Sequence, residues 1–486
     1  MRWRPGFRCS RGKPLAENSR HSHIARHVTT SRKFMLLLLA LDCLVVLMVF
    51  NLIGRLRGII PMGGEFMVAL LLVPLVLLIF AIYLIDGYRP RTDMMGLDYT
   101  SQHVIAMGAA MLATLLLIFA FKLPAGYSLQ SSRAVIALSF VLITPVTLSY
   151  RRWVHQQFDQ QLGERSFVFL GDRASCLAFR QECQRVGTKQ SVVFSVVSEE
   201  SAAPFAGGAD SLRPFREVID EVRAGKLAVE AIILRESNRE LPPDVSQQLV
   251  TLYFAGVPTY TLEFFHQVYW RKIPLYRLNQ TWLFQEGFQI AREPVFERLK
   301  RVSDVFLAVI GLALASPVIL AAGFAVWLED RGPVFFQQSR IGKNRVPFRL
   351  RKLRTMRPDT GGGGAYTQVG DARITRVGRF LRAARIDEFP QLWNVLRGDM
   401  SLIGPRAEWD RLVAEYERQI PCYYFRHLVK PGITGWAQVN YPYGANLDDT
   451  MRKLEYDLYY IRHFSFMLDA SIVLKTIHVM LFGKGR

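Results

Sequence analysis

Residues Val305–Leu328 read VFLAVIGLALASPVILAAGFAVWL, an apolar run without a charged residue and with Ser316-Pro317 at its middle. A helix needs ~20 apolar residues to cross the hydrocarbon core of a bilayer. A proline inside a helix removes a backbone hydrogen bond and kinks it. Charge bears on whether this run crosses or turns back. Residues 332–486 hold 25 Lys and Arg against 14 Asp and Glu, a net +11. Such basic sequence opposes translocation, although large domains can translocate whatever their charge. A helix that enters, breaks at Ser316 and Pro317 and returns satisfies both observations, with the Ser316 hydroxyl close to the backbone groups freed at the break. The run over 305–328 is therefore expected to be a re-entrant helix, with a spanning helix as the alternative.

Upstream, four more apolar runs crowd the first third of the chain: Phe34–Gly54, Met67–Asp86, His103–Phe121 and Arg133–Tyr150. Four runs of this length with short loops predict a four-helix transmembrane bundle over 34–152. The tail before them, residues 1–33, carries nine Lys and Arg against the single acid Glu17. That bias places the tail in the cytoplasm, and an even number of spans returns the chain to the cytoplasm after Arg151-Arg152. The first apolar run is also too late in the chain for an ordinary cleaved signal peptide. Across all 486 residues the formal net charge is +20 and half the residues are hydrophobic. This combination excludes a disordered chain and points to a membrane and anionic partners. The five cysteines form no C-x-x-C pair, so neither a disulfide framework nor a zinc ribbon is indicated. His21, His23 and His27 lie close together in the polar tail, where composition alone would permit metal binding.

Between the bundle and residue 290, short β-rich runs alternate with helical patterns. Ser166–Gly171 (SFVFLG), Ser191–Val197 (SVVFSVV) and Val229–Leu234 (VEAIIL) read as strands, and Ala174–Val186 as a helix. This alternation predicts a small Rossmann-like α/β module with a parallel sheet over 153–290. Its first turn, Gly171-Asp172-Arg173, has one glycine, whereas a dinucleotide fingerprint needs G-x-G-x-x-G. A scaffold or regulatory role stands beside nucleotide binding for this module.

The polar signals are densest beyond the Val305–Leu328 run. GPVFFQQSRIG (Gly332–Gly342) and PFRLRKLRTM (Pro347–Met356) come first, then a loop with Gly361-Gly362-Gly363-Gly364. That loop lacks the Lys-Ser/Thr of a phosphate-binding P-loop and reads as a flexible lid or linker. Asp387 and Glu388 follow, adjacent carboxylates upstream of Pro390, among Arg376, Arg379, Arg382 and Arg385. A surface ion-pair lattice accounts for such a mixture. Phosphate chemistry accounts for it as well. Phosphoryl transfer needs the phosphate oxygens neutralised by Arg, Lys and a divalent cation. One carboxylate can attack phosphorus while its neighbour holds Mg2+.

Taken in order, GPVFFQQSRIG, KLRTM, DARITRVGRFLR, RIDEFPQLWNVLRGDMSLIGPR (Arg385–Arg406) and KPGITGWAQVN (Lys430–Asn440) resemble the bacterial sugar transferase family of polyisoprenyl-phosphate sugar-1-phosphate transferases. The resemblance covers about Glu297–Arg486. The four upstream helices and the α/β module are similar to the longer, exopolysaccharide-type members, for which a homodimer is expected. The resemblance implies a multi-domain membrane protein whose residues 291–486 form a mainly helical, monotopic catalytic domain on the cytoplasmic face of a bacterial inner membrane. It implies a reaction in which a UDP-sugar and undecaprenyl phosphate give undecaprenyl-diphospho-sugar and UMP, with Mg2+. By motif, Asp387 would be the nucleophile and Glu388 the Mg2+ ligand. Lys352, Arg354, Arg382 and Arg406 would contact phosphate. Lys300, Arg301 and Asp304 match the segment that leads into the family's re-entrant helix, and Ser316 and Pro317 match its break. Three positions depart from the pattern. Leu353 stands where Phe is usual and Phe389 where Leu is usual, exchanges that affect packing before chemistry. Ala407 replaces a second Pro and should loosen the turn after Arg406.

Three other functions fit less well. A membrane-anchored nucleotide-sugar dehydratase or epimerase should carry the dinucleotide turn G-x-G-x-x-G and a Tyr-x-x-x-Lys pair, and the chain has neither. A non-enzymatic scaffold would not need Asp387, Glu388 and the arginines around them. A nucleic-acid binder should show a recognisable module, and here the charge lies beside membrane runs.

Overall fold

The structure is a computed structural model that describes residues 17–61, 66–68, 71–90, 92–120, 133–162, 165–188, 190–196, 212–235, 241–275, 294–357, 373–441 and 446–482. The Gly361–Gly364 loop, the start of the basic tail and the expected 290/291 domain boundary lie outside the described residues. The chain divides into two compact units, Met1–Ile232 with Glu240–Pro258, and Ile233–Arg239 with Thr259–Arg486.

In the first unit, four helices form a bundle: α1 (Glu17–Leu56), α2 (Leu72–Leu84), α3 (Leu97–Ala120) and α4 (Arg133–Leu162). Leu38, Phe50, Leu78, Ile82, Phe140 and Ile143 meet in one core. Leu36, Leu52, Leu116 and Val141 point outward, each more than half exposed. Helices apolar on both faces are suited to lipid rather than water. Stretches 32–56, 97–118 and 133–158 are long and apolar enough to cross a membrane. The second apolar run is shorter than expected, 13 helical residues instead of about twenty. Pro74 sits in its first turn, where its missing N–H costs nothing but extension toward the N-terminus is disfavoured. A fully buried ion pair crosses the bundle, with Arg151 donating to Asp42 at 2.5 Å. Tyr88 donates to the same carboxylate at 2.6 Å, Tyr150 does so too, and Arg151 also reaches the Gly87 carbonyl at 3.0 Å. A charge pair this deep is tolerated only when its remaining lone pairs and protons are bonded in this way.

The α/β module follows: β1 (Ser166–Leu170), α5 (Arg173–Val186), β2 (Val192–Val196), β3 (Arg213–Pro214), α6 (Phe215–Arg223), β4 (Val229–Leu234), α7 (Pro243–Phe254) and β5 (Thr259–Thr261). The sheet order is β3-β2-β1-β4-β5, and β2 pairs in parallel with both β1 and β3. This is the expected parallel α/β arrangement. The division between the two units cuts β4 after Ile232 and assigns β5 to the second unit. Every residue of β1 is buried, as a near-continuous apolar run in a parallel sheet requires. In dinucleotide-binding folds the turn after β1 presents a helix N-terminus to a pyrophosphate. Here Asp172 caps α5 itself, accepting from the Ser175 N–H at 2.9 Å and from its hydroxyl at 2.5 Å. The chain's own carboxylate thus stands where an anionic ligand would.

The second unit is mainly helical. After β5 comes the short helix α8 (Leu262–Phe265) and, beyond residues 276–293, α9 (Pro294–Asp330). The hairpin strands β6 (Phe335–Ile341) and β7 (Pro347–Leu353) pair antiparallel, Phe336 opposite Lys352. Then come α10 (Arg376–Ala383), a 3-10 turn at Ile386–Glu388, α11 (Gln391–Arg397), β8 (Ser401–Ile403), α12 (Asp410–Gln419), β9 (Gly432–Thr434), α13 (Trp436–Asn440), α14 (Leu447–Arg462) and α15 (Phe466–Phe482). Trp436, Leu454, Leu458, Ile461 and Ile472 form its core, and Ile273 and Leu275 pack into it. The indole of Trp436 donates to the Arg271 carbonyl at 2.9 Å. Helix α9 contains the Val305–Leu328 run and is helical through Pro317, with the Ser316 hydroxyl donating to the Ala313 carbonyl at 2.8 Å. Its two halves rest on neighbouring positions of one strand. Ala308 packs with Leu350, and Ala322 and Val326 pack with Leu353.

Candidate active site

Four elements of the second unit build the site: β7, α10, the 3-10 turn and α11. Helix α10 is capped at its N-terminus twice. The Thr375 hydroxyl accepts from the Gly378 N–H at 2.9 Å. The Glu329 carboxylate, from the end of α9, accepts from the N–H groups of Arg376 and Val377 at 2.8 and 3.2 Å. An acid at a helix N-terminus is favoured by the helix dipole. At the other end, Arg385 takes a left-handed φ of 55°, which stops α10 and turns the chain into Ile386–Glu388. Asp387 and Glu388 are thereby presented on a tight turn. Asn394 ties α11 to β7, donating to the Arg349 carbonyl at 2.8 Å and accepting from the Arg351 N–H at 3.1 Å.

Lys352 at the end of β7 donates to Glu388 Oε1 at 3.1 Å, and Arg406 donates to the same oxygen at 3.4 Å. Burial alone would raise the Glu388 carboxyl. The two cations overcome it and hold the group down at about 2, so Glu388 is ionised across the physiological range. Asp387 behaves in the opposite way. It is only 8% exposed, and burial pushes its carboxyl up, with Lys352 opposing the rise, Glu388 adding to it and Arg382 opposing it again. Among the described residues no side chain hydrogen-bonds the Asp387 carboxylate. Burial draws the Lys352 ammonium down, against the pull of Glu388. Two adjacent acids are therefore held in different states by their surroundings, one a fixed anion and the other a shielded carboxylate that no described side chain bonds.

The fold gathers Lys352, Arg382, Asp387, Glu388 and Arg406. Arg382 is aimed by Thr355, whose hydroxyl accepts from its Nε at 2.8 Å. Arg354 is turned to a partner at the end of α9, pairing with the Asp330 carboxylate. Gly332 leaves room for that guanidinium, since a Cβ there would lie 2.7 Å from it. Ser316 and Pro317 lie along α9 and are exposed. The turn after Arg406 is held despite Ala407. Arg426 donates to the Arg406 carbonyl at 3.1 Å and Arg340 to the Ala407 carbonyl at 3.1 Å. Of the other two departures, Leu353 is 1% exposed in a small core with Ala322, Val326 and Leu381, and Phe389 is partly buried.

Thr355, Asp330, Glu329, Asn394 and Arg426 escaped the sequence reading. Each acts by holding another residue, and only Asn394, a polar residue within QLWNVL, carried a visible signal as a polar group among apolar ones. Among the described residues no three His, Cys, Asp or Glu converge as a metal cage.

A buried acid and an ionised acid, ringed by Lys and Arg, thus stand beside an apolar helix of membrane length. The family profile for bacterial sugar transferases matches residues 295–483. A protein of Aeromonas hydrophila, UDP-N-acetylgalactosamine-undecaprenyl-phosphate N-acetylgalactosaminephosphotransferase, is 39% identical over 269 residues, covering 55% of this chain and 63% of the relative. The UDP-glucose:undecaprenyl-phosphate glucose-1-phosphate transferase of Caulobacter vibrioides is 46% identical over 185 residues, 37% of this chain and 69% of the relative. The Escherichia coli protein of the same name is 42% identical over 183 residues, 37% of this chain and 39% of the relative. The chain belongs to the bacterial sugar transferase family.

Proposed function

We propose that this protein transfers a sugar-1-phosphate from a UDP-sugar to undecaprenyl phosphate, giving undecaprenyl-diphospho-sugar and UMP as the first step of exopolysaccharide assembly. The observation that carries the reading is the contrast between Asp387 and Glu388. An Asp387 oxygen attacks the phosphorus that bears the sugar, an O–P bond forms, and the phosphoanhydride bond to UMP breaks, its electron pair leaving with UMP. A phosphate oxygen of undecaprenyl phosphate then attacks the same phosphorus and releases the Asp387 carboxylate. One phosphoanhydride replaces another, so little driving force is expected. Lys352, Arg382 and Arg406 offset the charge that gathers on the phosphate oxygens, with Arg354 as a further contact.

Mg2+ is ordinarily held by one or two carboxylates with substrate phosphates rather than by an all-protein cage. An ionised Glu388 beside the attacking acid fits that requirement as the protein ligand. When bound, the ion would neutralise the diphosphate as UMP departs.

The membrane arrangement belongs to the same proposal. The bundle crosses the inner membrane, residues 291–486 form the catalytic domain on the cytoplasmic face, and α9 is re-entrant. Support for re-entry comes from the two halves of α9 resting on β7 three residues apart. The intervening Leu314, Val318 and Leu320 are exposed.

The test is UMP release by membranes containing the protein, across a panel of UDP-sugars. Release is expected only with both Mg2+ and polyprenyl phosphate, and Asp387→Asn should abolish it. Full turnover by Asp387→Asn overturns the covalent route.

A further inference from the structure

Apart from the Asp387–Glu388 site, a cavity of about 600 Å³ opens where α9 begins. Lys343, in the turn between β6 and β7, lines it, whereas Lys352 of the active site stands at the opposite end of that hairpin. The cavity is rich in cations, and most are already committed. Lys300 pairs with Asp469 at 2.5 Å, and Lys343 pairs with Glu297. Arg301 spends its guanidinium on the carbonyls of Val395 and Leu396. Of the two acids in the lining, Asp304 accepts from the Leu402 N–H at 3.1 Å and Glu297 is taken by Lys343.

Two cations remain, Arg298, which is exposed to water, and Lys430, which is withdrawn from it. Lys430 is partly buried, and among the described residues its ammonium makes no hydrogen bond or ion pair. Burial draws its pKa down and the neighbouring Arg301 draws it further, with Asp304 opposing. An ammonium withdrawn from water beside other cations is costly unless an anion joins it. The wall also carries apolar side chains, Val302, Val429 and Phe464 among them, with Val302 67% exposed. Position completes the argument. Lys300, Arg301 and Asp304 lie in the turn of α9 immediately before the apolar run starts at Val305. A helix entering lipid there sets this cavity at headgroup depth, and basic pockets at that depth bind phosphate headgroups.

We propose that this cavity binds the phosphodiester headgroup of an anionic membrane lipid, with Lys430 as the cation that meets the phosphate, so that the foot of α9 is fastened to the leaflet surface. The proposal rests on α9 entering the membrane and is independent of the transfer reaction. The experiment is native mass spectrometry of the full chain released from nanodiscs of phosphatidylcholine with a minority of phosphatidylglycerol. Wild type should retain one saturable phosphatidylglycerol. Lys430→Gln should hold it about fivefold less tightly, the factor for one cation near an anionic surface, and Lys430→Arg should restore it. In a second arm on wild type alone, a galactolipid without phosphate should fail to compete. Equal retention by wild type and a folded Lys430→Gln, or effective competition by the galactolipid, overturns the site. Binding of inorganic phosphate in detergent as tight as that of phosphatidylglycerol overturns the lipid assignment. The readout needs no turnover, so its failure and a failure of the transferase reading are separable.

Discussion

At the scale of single residues, the adjacency of Asp387 and Glu388 was legible in the chain, and their division of labour was not. Lys352 comes from a strand 36 residues upstream of Glu388 and Arg406 from a loop 18 residues downstream. Only their convergence keeps one acid ionised while burial raises the other. This has a pH consequence. On the proposed covalent route the ionised carboxylate is the nucleophile and the protonated acid is far weaker, so kcat/KM should fall as pH drops through the raised pKa of Asp387, above the ordinary carboxylate value. Lys352→Gln removes the largest influence opposing that rise. The acid limb of its residual turnover should therefore move to higher pH, and a limb that stays or moves down contradicts the assignment. Arg426 makes a second case. It is buried, pairs with Asp457 at 2.9 Å and holds the Arg406 carbonyl. Arg426→Met leaves Asp457 buried and uncompensated, a cost of roughly 3–5 kcal/mol. Thermal unfolding of the purified protein should register that loss. A smaller loss is expected when Asp457→Leu is added, because the stranded charge is then removed.

At the scale of elements, strands and helices of the module follow the period of the sequence closely, since apolar alternation and length specify them locally. Helix α2 is shorter than hydropathy suggested, because hydropathy does not register Pro74 in its first turn. Helix α10 shows what sequence reading cannot supply. Its arginines looked like a cluster around the acids. The structure directs Arg382 through Thr355, and this depends on close approach at Gly378, where a Cβ would run into the Thr355 carbonyl oxygen. Backbone cannot yield as the tip of a side chain can. Gly378→Ala should therefore shift α10, destabilise the protein by about 1–3 kcal/mol and lower kcat along with the misplaced Arg382. Thermal unfolding beside steady-state kinetics measures both, and an unchanged kcat would show that Arg382 is not positioned by this contact.

At the scale of the whole molecule, helix α9 decides the topology. If it turns back, a reporter fused after Arg486 reads cytoplasmic, and a periplasmic signal rejects the re-entrant arrangement. The charge of +20 is divided rather than spread over one surface: part lies in the tail, part around Glu388 and part in the basic cavity at the foot of α9. By itself the sequence determined the kinds of parts and their order: an apolar bundle, a parallel α/β module, an apolar helix with a proline and an acidic pair among arginines. Those features are local, written in hydrophobic period, in length and in contiguous motifs. The tertiary structure alone decided which cations reach Glu388, which acid is shielded, that Arg354 is held by Asp330, that Asp172 fills its own helix terminus and that Lys430 is left without a partner. Each of these depends on groups far apart in the chain meeting at hydrogen-bond distance, and burial and electrostatics act through distance in space rather than along the sequence.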